Sequence, residues 1–353
     1  MAVSGEVDGR AIRRHPLRRP SGRLSARRVE KKMSLWTRGV LLWLLIAGGG
    51  WSAELRGGQI VEKPFAGVTH IRRTETSPRI LNMHIVKIDL KAPGIGFVVT
   101  SPAGTRETVR QTTLDFLNQQ RAQVAINGHF FLPFPSNDSD VWLIGLAASK
   151  GNVYSSFEAP VQSYAIVANA PAINIDLQNH AAIVHNDARF ADGKHVRENV
   201  ALWNAVAGSA QIITNGLRTI PRYADAGNPG GQLIPGGSGP YSNSDSWYDR
   251  VRARAAVGLS RDKRTLFLFT VDEEAGGKSG GMKVGEVADL LIRDYGVYNA
   301  LNLDGGGSTT LVMEDPVTHA GVIMNASSDN SSGRPVGSNI GIFAAPVKAR
   351  LKN

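Results

Sequence analysis

Hydrophobic and polar positions alternate along the chain from about residue 58 to residue 100. The alternation is clearest from Leu81 to Leu90, and neighbouring apolar stretches are separated by Pro and Gly. A period of two is the side-chain repeat of a β-strand that buries one face. The pattern therefore predicts successive β-strands packed on a common core.

Two later segments have the spacing of amphipathic helices, Arg106–Gln120 and Met282–Arg293. Between them, Ala224–Trp247 is rich in Gly, Pro, Ser and Asn and has no periodicity. Unstructured stretches of this length in a compact domain are often either disordered or functional, and this one is predicted to be a lid or rim. Together these patterns predict the α+β class: a mixed β-sheet core with packed helices in a single catalytic domain.

Carboxylates follow two continuous apolar strands. Thr265–Val271 runs into Asp272, and Ala300–Leu303 runs into Asp304. Such strand ends are where α/β architectures commonly present reactive side chains. Three glycines follow Asp304; they can adopt positive φ, and their N–H groups can form a nest for an anion. With hydroxyl side chains next in the chain, the stretch predicts a functional loop rather than a plain turn.

Other polar residues occupy comparable positions. Arg252 and Arg254 precede an apolar strand and share one face if the period of two holds. Asn127 and His129 follow a short buried strand beside a glycine, where unpaired polar groups would be costly; a structural, hydrogen-bonded role for His129 is the alternative. Glu286 lies in the first turn of the second predicted helix, where the helix dipole favours a carboxylate, so a simple helix-start role is its alternative.

The formal charge of +10 is concentrated at the N-terminus. Residues 1–53 carry eleven Lys and Arg against three Asp and Glu, a net charge of +8, which leaves +2 for the other 300 residues. A nearly neutral body does not imply a nucleic-acid partner. The chain has no Cys, which excludes disulfides, Cys-ligated zinc and thiol nucleophiles.

The N-terminal segment has the layout of an export signal. Residues 33–53 contain a charged start, a short apolar core (Val40–Ala47) and a small-residue exit. The apolar core is shorter than the ~20 residues of a membrane span, so no stable span is expected after cleavage. We therefore predict three parts: a disordered or misannotated extension (1–32), a signal peptide (33–53) and one domain (54–353) in the bacterial periplasm or secreted.

Five ordered blocks resemble the phosphodiester glycosidase family and place its core motifs within residues 120–345. The blocks are Ala125–Phe131, Arg252–Gly258, Phe267–Asp272, Gly281–Ala288 and Asn299–Ser308. The resemblance implies hydrolysis of a sugar-1-phosphodiester to free sugar and a phosphate monoester. The sequence departs from the family pattern at two positions that could change substrate choice. His129 stands where the family pattern has a second glycine, and Ala255 stands where the animal member of the family has threonine.

The resemblance and the strand-end pattern together give one set of candidate site residues. The candidates for catalysis are Asp304, Asp272 and Glu286. The candidates for substrate binding are Asn127, His129, Arg252, Arg254, Asn302, Gly305, Gly306, Gly307, Ser308 and Thr309.

The chemistry of phosphodiester-linked sugars suggests a role for the carboxylates, the arginine and the glycine turn. An anionic carboxylate stabilises the oxocarbenium-like transition state of glycoside hydrolysis, so Asp304 and Asp272 are candidates for nucleophile or general base, without an assignment between them. Arg254 and the glycine nest suit the phosphate. The predicted function is an exported glycosidase acting on a carbohydrate or sugar-phosphate of the envelope or of exogenous glycans.

Two alternatives stay open. A non-catalytic envelope or exopolysaccharide-binding module could use the same fold. The carboxylates of Asp272, Glu273, Glu274 and Asp304 could also supply oxygen ligands to Ca²⁺ or Mg²⁺, although an EF-hand-like spacing is absent. No oligomeric state is predicted.

Overall fold

The computed structural model describes residues 54–56, 58–157, 166–233, 241–274, 279–326 and 332–347. The chain divides into two units, Met1–Ala47 and Gly48–Asn353, and all of these residues belong to the second. The predicted N-terminal extension and signal peptide lie outside the described residues. Within the described residues, no helix is both long and apolar enough to cross a membrane.

Strands dominate the described part of the chain. In its first half they are β1 (Glu54–Arg56), β2 (Gln59–Phe65), β3 (Val68–Glu75), β4 (Leu81–Asp89), β5 (Gly96–Val99), β6 (Thr108–Val109), β7 (Val124–Asn127), β8 (Phe131–Leu132), β9 (Asp140–Leu143), β10 (Ala147–Ser149), β11 (Asn152–Ser155), β12 (Ala172–Ile175) and β13 (Ala181–Val184). In its second half they are β14 (Asn204–Ala207), β15 (Ala210–Thr214), β16 (Leu217–Arg218), β17 (Arg254–Leu259), β18 (Thr265–Val271), β19 (Glu273–Glu274), β20 (Ser279–Gly280), β21 (Asn299–Asn302), β22 (Leu311–Glu314), β23 (Gly321–Ile323) and β24 (Asn339–Phe343).

Two α-helices complete the described elements, α1 (Thr113–Gln120) and α2 (Val284–Tyr295). The Thr112 hydroxyl caps α1 by accepting from the N–H of Asp115 (3.0 Å), and Gly296 ends α2 in the left-handed conformation at φ 65°. Short 3-10 helices lie at Trp247–Asp249 and Gly306–Ser308.

Two large sheets pack face to face. The first has nine strands in the order β1-β2-β3-β4-β18-β17-β21-β15-β16, and the second has five in the order β23-β22-β7-β24-β5. Residues of both, such as Val257 and Leu301 from the first and Ile126 and Leu311 from the second, form one buried core. The pairs between the named strands of these sheets are antiparallel.

The helices cover the outer faces of this sandwich. Leu290 and Leu291 of α2 pack on the far face of the nine-stranded sheet with Phe269 and Ala300. Phe116 of α1 packs on the far face of the five-stranded sheet. A further five-stranded sheet, β11-β10-β14-β12-β13, has its own apolar cluster.

The predicted α+β class with a sheet core fits this architecture broadly, but the predicted packed helices need correction. The fold is mostly β-sheet with two α-helices among the described residues. The helix predicted for Arg106–Gln120 is shorter in the structure, because the first half of that segment forms a short strand and tertiary hydrogen bonds instead. Thr108–Val109 forms β6, and the buried Thr108 hydroxyl donates to the carbonyl of Gly337 (2.7 Å), so tertiary contacts override the helical spacing.

Candidate active site

Three neighbouring strands bring the predicted carboxylates and arginine to one end of the nine-stranded sheet. β17 runs antiparallel between β18 and β21, with Arg254 opposite Val271 and Ala256 opposite Asn302. Asp272 follows β18 directly, and Asp304 follows β21 by two residues. Since neighbouring strands lie ~4.8 Å apart, the two carboxyl-bearing strands flank Arg254 at a separation of about 10 Å.

The glycine turn after Asp304 lies against the start of β17. The Gly306 N–H donates to the carbonyl of Ala253 (2.8 Å), and Gly306 has φ 58°. A Cβ atom on Gly305 would come within 3.0 Å of the same carbonyl oxygen. The close approach and the left-handed backbone together explain why glycine is needed here.

Asp304 is a buried acid. Burial raises the pKa of its carboxyl group to about 6, although hydrogen bonds from Ser308 and the Gly305 N–H and the charge of Arg334 act in the opposite direction. Ser308 Oγ also accepts from Arg334 Nη1 (3.1 Å), so the serine hydroxyl links the acid to the arginine. A carboxyl group with this pKa can hold or release a proton close to neutral pH.

Arg334 was not predicted to belong to the site. It follows a Ser- and Asn-rich stretch of sequence and precedes the last strand, and its guanidinium stacks over the Phe134 ring at 4.6 Å. A basic residue before a closing strand was the only sequence signal, and it does not show that the chain returns to Ser308.

Arg254 is fully buried, with 0% of its surface exposed. Its Nε donates to the carbonyl of Met282 (3.0 Å), and its Nη2 donates to the carbonyls of Trp247 (2.9 Å) and Arg250. Nη1 has no hydrogen-bond partner among the described residues, nor does any described carboxylate form an ion pair with the guanidinium. Burial lowers the pKa of this group to about 10, so the side chain is a cation at neutral pH.

The ring of Trp247 covers this cation. It stacks on the Arg254 guanidinium at 4.6 Å, and its edge lies 3.9 Å from the position that a Cβ on Gly306 would occupy. Trp247 is the last residue of the segment predicted as a lid or rim, of which residues 234–240 lie outside the described part.

Arg252 takes a different position from Arg254. It precedes β17, is exposed, and donates from Nη1 to Glu273 (2.9 Å), whose other carboxylate oxygen accepts from the N–H of Ala253 (3.0 Å). The two arginines therefore differ in environment: Arg254 is buried, and Arg252 pairs with a carboxylate at the surface. Their shared role in substrate binding stays a prediction.

The two predicted asparagines brace the site from within. Asn127 is buried; its Nδ2 donates to the carbonyl of Asp304 (2.7 Å), and its Oδ1 accepts from the N–H of Thr310 (3.0 Å). Asn302 Nδ2 donates to Ser209 Oγ (2.9 Å). These bonds tie the turn to the second sheet and to β15, so both residues act as positioning residues in the structure.

His129 is buried and held on both sides of its ring. Nδ1 lies 2.7 Å from Ser338 Oγ, and Nε2 lies 2.9 Å from the N–H of Ala207 and 3.0 Å from the carbonyl of Leu146. Burial lowers its pKa to about 4, so the ring is neutral at pH 7. This geometry matches the structural alternative for His129.

Glu286 caps α2. Its carboxylate accepts from the Lys283 N–H (2.8 Å) and from Arg79. Burial acts to raise its pKa, but these two donors outweigh it and the pKa is lowered. No hydrogen bond between described residues joins Glu286 to Asp272, Arg254 or Asp304, so its predicted catalytic role gains no support from the contacts.

The remaining candidates lie in or beside the turn. Gly307 and Ser308 are buried in the 3-10 helix, and the buried Thr309 hydroxyl has no hydrogen-bond partner among the described residues. Asp272 is 4% exposed. No group of three or more His, Cys, Asp or Glu side chains that could hold a metal ion occurs in the described residues. The Glu274 side chain lies outside them, so the Ca²⁺ or Mg²⁺ hypothesis stays a prediction.

The comparison with family models decides the family. A model described as phosphodiester glycosidase matches residues 120–343, a segment that contains every candidate site residue. The chain belongs to this family. Its predicted core motifs, residues 120–345, agree with the matched segment.

Two solved structures resemble this phosphodiester glycosidase family member. One is a hypothetical protein from Synechocystis (17% identity, TM-score 0.50, covering 79% of this chain). The other is the catalytic domain of zebrafish N-acetylglucosamine-1-phosphodiester alpha-N-acetylglucosaminidase, auto-inhibited by its pro-peptide (19% identity, TM-score 0.50, covering 78% of this chain and 82% of that chain). The chain spans 62% of the Synechocystis chain. At these identities the likeness shows the fold alone, and no curated protein matches the chain significantly.

Proposed function

We propose that the chain hydrolyses a sugar-1-phosphodiester, or a related linkage in an envelope or exogenous glycan, and releases free sugar. The observation that carries the proposal is the buried Arg254 guanidinium, whose Nη1 lacks a partner among the described residues. A buried cation without a counter-ion is costly. Phosphate oxygens are the partners that a guanidinium grips best, and the N–H groups of the adjacent glycine turn favour the same charge.

The carboxylates supply the complementary half of the chemistry. Water attacks the anomeric carbon, the bond from that carbon to the phosphate oxygen breaks, and a phosphate monoester leaves with the bonding electrons. The proton of the water passes to a carboxylate. Asp304 and Asp272 are the pair proposed for this work, one stabilising the oxocarbenium-like transition state and one acting as base. Because a phosphate monoester has a second pKa of about 6, it leaves with little proton assistance.

The proposal includes movement of Trp247 when phosphate binds. The ring stacks on the guanidinium and lies beside Gly306, so its displacement would open one face of the buried cation to a ligand. The prediction that the segment ending at Trp247 is a lid or rim stays a prediction; the position of the Trp247 ring supports it.

The test is release of free sugar from a panel of sugar-1-phosphodiesters by the wild type and by Asp304→Asn, Arg254→Met and the exposed-site control Asp89→Asn. We expect Asp304→Asn to lower kcat at least 100-fold, because carboxylate catalysis contributes about that much. Arg254→Met should raise KM for phosphodiesters, and Asp89→Asn should behave as the wild type. Equal sugar release by wild type and Asp304→Asn would remove the assigned role.

The binding-module alternative gives a different result in the same assay. It predicts no turnover by the wild type and glycan binding that survives the double change Asp272→Asn and Asp304→Asn. Hydrolysis by the wild type on any member of the panel excludes it.

We also propose that the mature protein is exported to the periplasm or secreted. The support is the charged, apolar and small-residue order of residues 33–53. Cell fractionation followed by N-terminal sequencing tests it. A protein that stays in the cytoplasm with residues 33–53 attached would overturn the proposal.

A further inference from the structure

A cavity of about 860 Å³ lies apart from the candidate catalytic residues. Its volume is within the ~300–1,000 Å³ range of small-molecule sites. None of the predicted site residues lines it. Its walls come from Val167 to Pro171, from the chain after β13, from β15 and from Gly231 to Leu233. The proposed function does not use this space.

The lining mixes polar and apolar side chains and carries only positive formal charge. Four amide side chains contribute, those of Asn169, Asn186, Gln211 and Gln232, and no Asp or Glu is among the described lining residues. Arg197 lines the cavity, is exposed, and forms no ion pair with a described carboxylate. This charge pattern favours a ligand that brings its own anion.

Hydrogen bonds hold one wall in place. His185 Nδ1 contacts Glu198 Oε1 (2.8 Å), and its Nε2 contacts Gln211 Oε1 (3.0 Å). Gln211 Nε2 in turn donates to the carbonyl of Ile213 (3.1 Å) and to Asn299 Oδ1 (3.2 Å). The nearby Glu198 carboxylate is therefore already committed to His185, which leaves Arg197 available to a ligand.

Asn186 supplies an independent sign of a ligand. Its Nδ2 donates to Asn169 Oδ1 (3.2 Å), but its buried Oδ1 receives no hydrogen bond from the described residues. A buried amide oxygen without a donor costs free energy. Because this oxygen is buried, a sugar hydroxyl in the cavity can donate to it only after the Asn186 side chain turns toward the cavity.

From these observations we propose that the cavity binds an acidic saccharide, with the carboxylate of a uronic-acid residue on Arg197 and sugar hydroxyls on the amide side chains. Hydrogen bonds link one wall of the cavity to the strand that leads to the candidate catalytic turn: Val167 donates its N–H to the carbonyl of Ser209 (2.9 Å), and Ser209 Oγ accepts from Asn302, two residues before Asp304. This binding does not rest on the proposed function.

The test is calorimetric titration of the full chain with trigalacturonate, and with maltotriose as the neutral trisaccharide of equal length. We expect trigalacturonate to bind the wild type and Arg197→Gln to weaken its binding at least tenfold, because hydrogen bonds between charged groups are lost. Asn186→Leu should weaken both trisaccharides. Arg264→Gln, which removes an exposed arginine outside the cavity, should bind as the wild type does.

Several results would overturn the inference. If trigalacturonate does not bind, the proposed site does not exist. If Arg197→Gln leaves its binding unchanged, the saccharide binds somewhere other than this cavity. Inorganic phosphate that binds as tightly as trigalacturonate at the same residue would exclude a saccharide site and leave a simple anion site. The titration measures binding and not turnover, so the two proposals can fail separately. If the protein binds trigalacturonate but hydrolyses no phosphodiester, the proposed function fails and this inference stands.

Discussion

Asp304→Asn should make the protein more stable at neutral pH while it removes activity. Burial raises the pKa of this carboxyl group from 3.8 to about 6. Because the folded pKa lies above the unfolded one, the folded state binds more protons between pH 3.8 and about 6. Stability therefore falls as pH rises through that window, and the full cost is present above it. A pKa difference of about two corresponds to ~3 kcal/mol.

Asparagine keeps the shape of the side chain and carries no charge, so it escapes this cost. The measurement is urea unfolding of the wild type and Asp304→Asn from pH 3.5 to 8. The difference in unfolding free energy should be near zero at the acid end and should grow to about 3 kcal/mol in favour of the variant above pH 7. Asp89→Asn removes an exposed carboxylate and controls for the change in net charge; it should show no such growth.

A variant no more stable than the wild type at pH 8 would refute the reasoning. It would mean that the Ser308 hydroxyl and Arg334 stabilise the Asp304 carboxylate enough to cancel its desolvation. In that case the protein would not be sacrificing stability to keep a charged carboxylate at this position, even if the variant lost activity.

Three further changes test other contacts by urea unfolding. Asn127→Ala should cost about 2–4 kcal/mol, because it leaves two buried hydrogen-bond partners of the turn unmet; unchanged stability would disprove the bracing role. Burial lowers the pKa of His129 to about 4, so the unfolded state binds more protons than the folded state between pH 4 and 6.5. As pH falls through that window, the unfolding free energy of the wild type should drop by up to ~3 kcal/mol relative to that of His129→Gln. An unchanged difference between the two proteins would contradict a neutral buried ring. Gly208→Ala should cost about 1–3 kcal/mol, since its Cβ would meet the Asn302 carbonyl oxygen at 2.5 Å, whereas Gly230→Ala meets nothing within 4 Å and should be neutral.

The sequence could predict where the carboxylates lie because strand ends are readable. Apolar runs stop at Val271 and Leu303, and a carboxylate follows each within a residue. Antiparallel pairing with one intervening strand then brings Asp272 and Asp304 to the same end of a sheet. The strand ends can be recognised from short stretches of sequence. The resemblance of the ordered blocks to the family added the expectation that both strands contribute to one site.

Partners distant in the chain could not be predicted. Arg252 and Arg254 are only two residues apart in the chain, and only the folded geometry buries Arg254 while it pairs Arg252 with the distant Glu273. Glu286 and Arg79 meet across 207 residues, a contact that fixes the glutamate at a helix start. Nothing in the sequence pattern distinguishes a capping carboxylate from a catalytic one before that partner is known.

The proposed site combines a buried acid and a buried cation that do not neutralise one another. The contacts that shift the pKa of Asp304 are with Ser308, Gly305 and Arg334, whereas Arg254 is held by main-chain carbonyls. Each group is therefore desolvated at a cost that folding alone does not recover. A sugar-1-phosphodiester would offset both costs at once, since its phosphate is anionic and its anomeric carbon becomes positive in the transition state. A neutral glycoside of the same size could offset only the second, so under the proposed function the phosphodiester should be the preferred substrate.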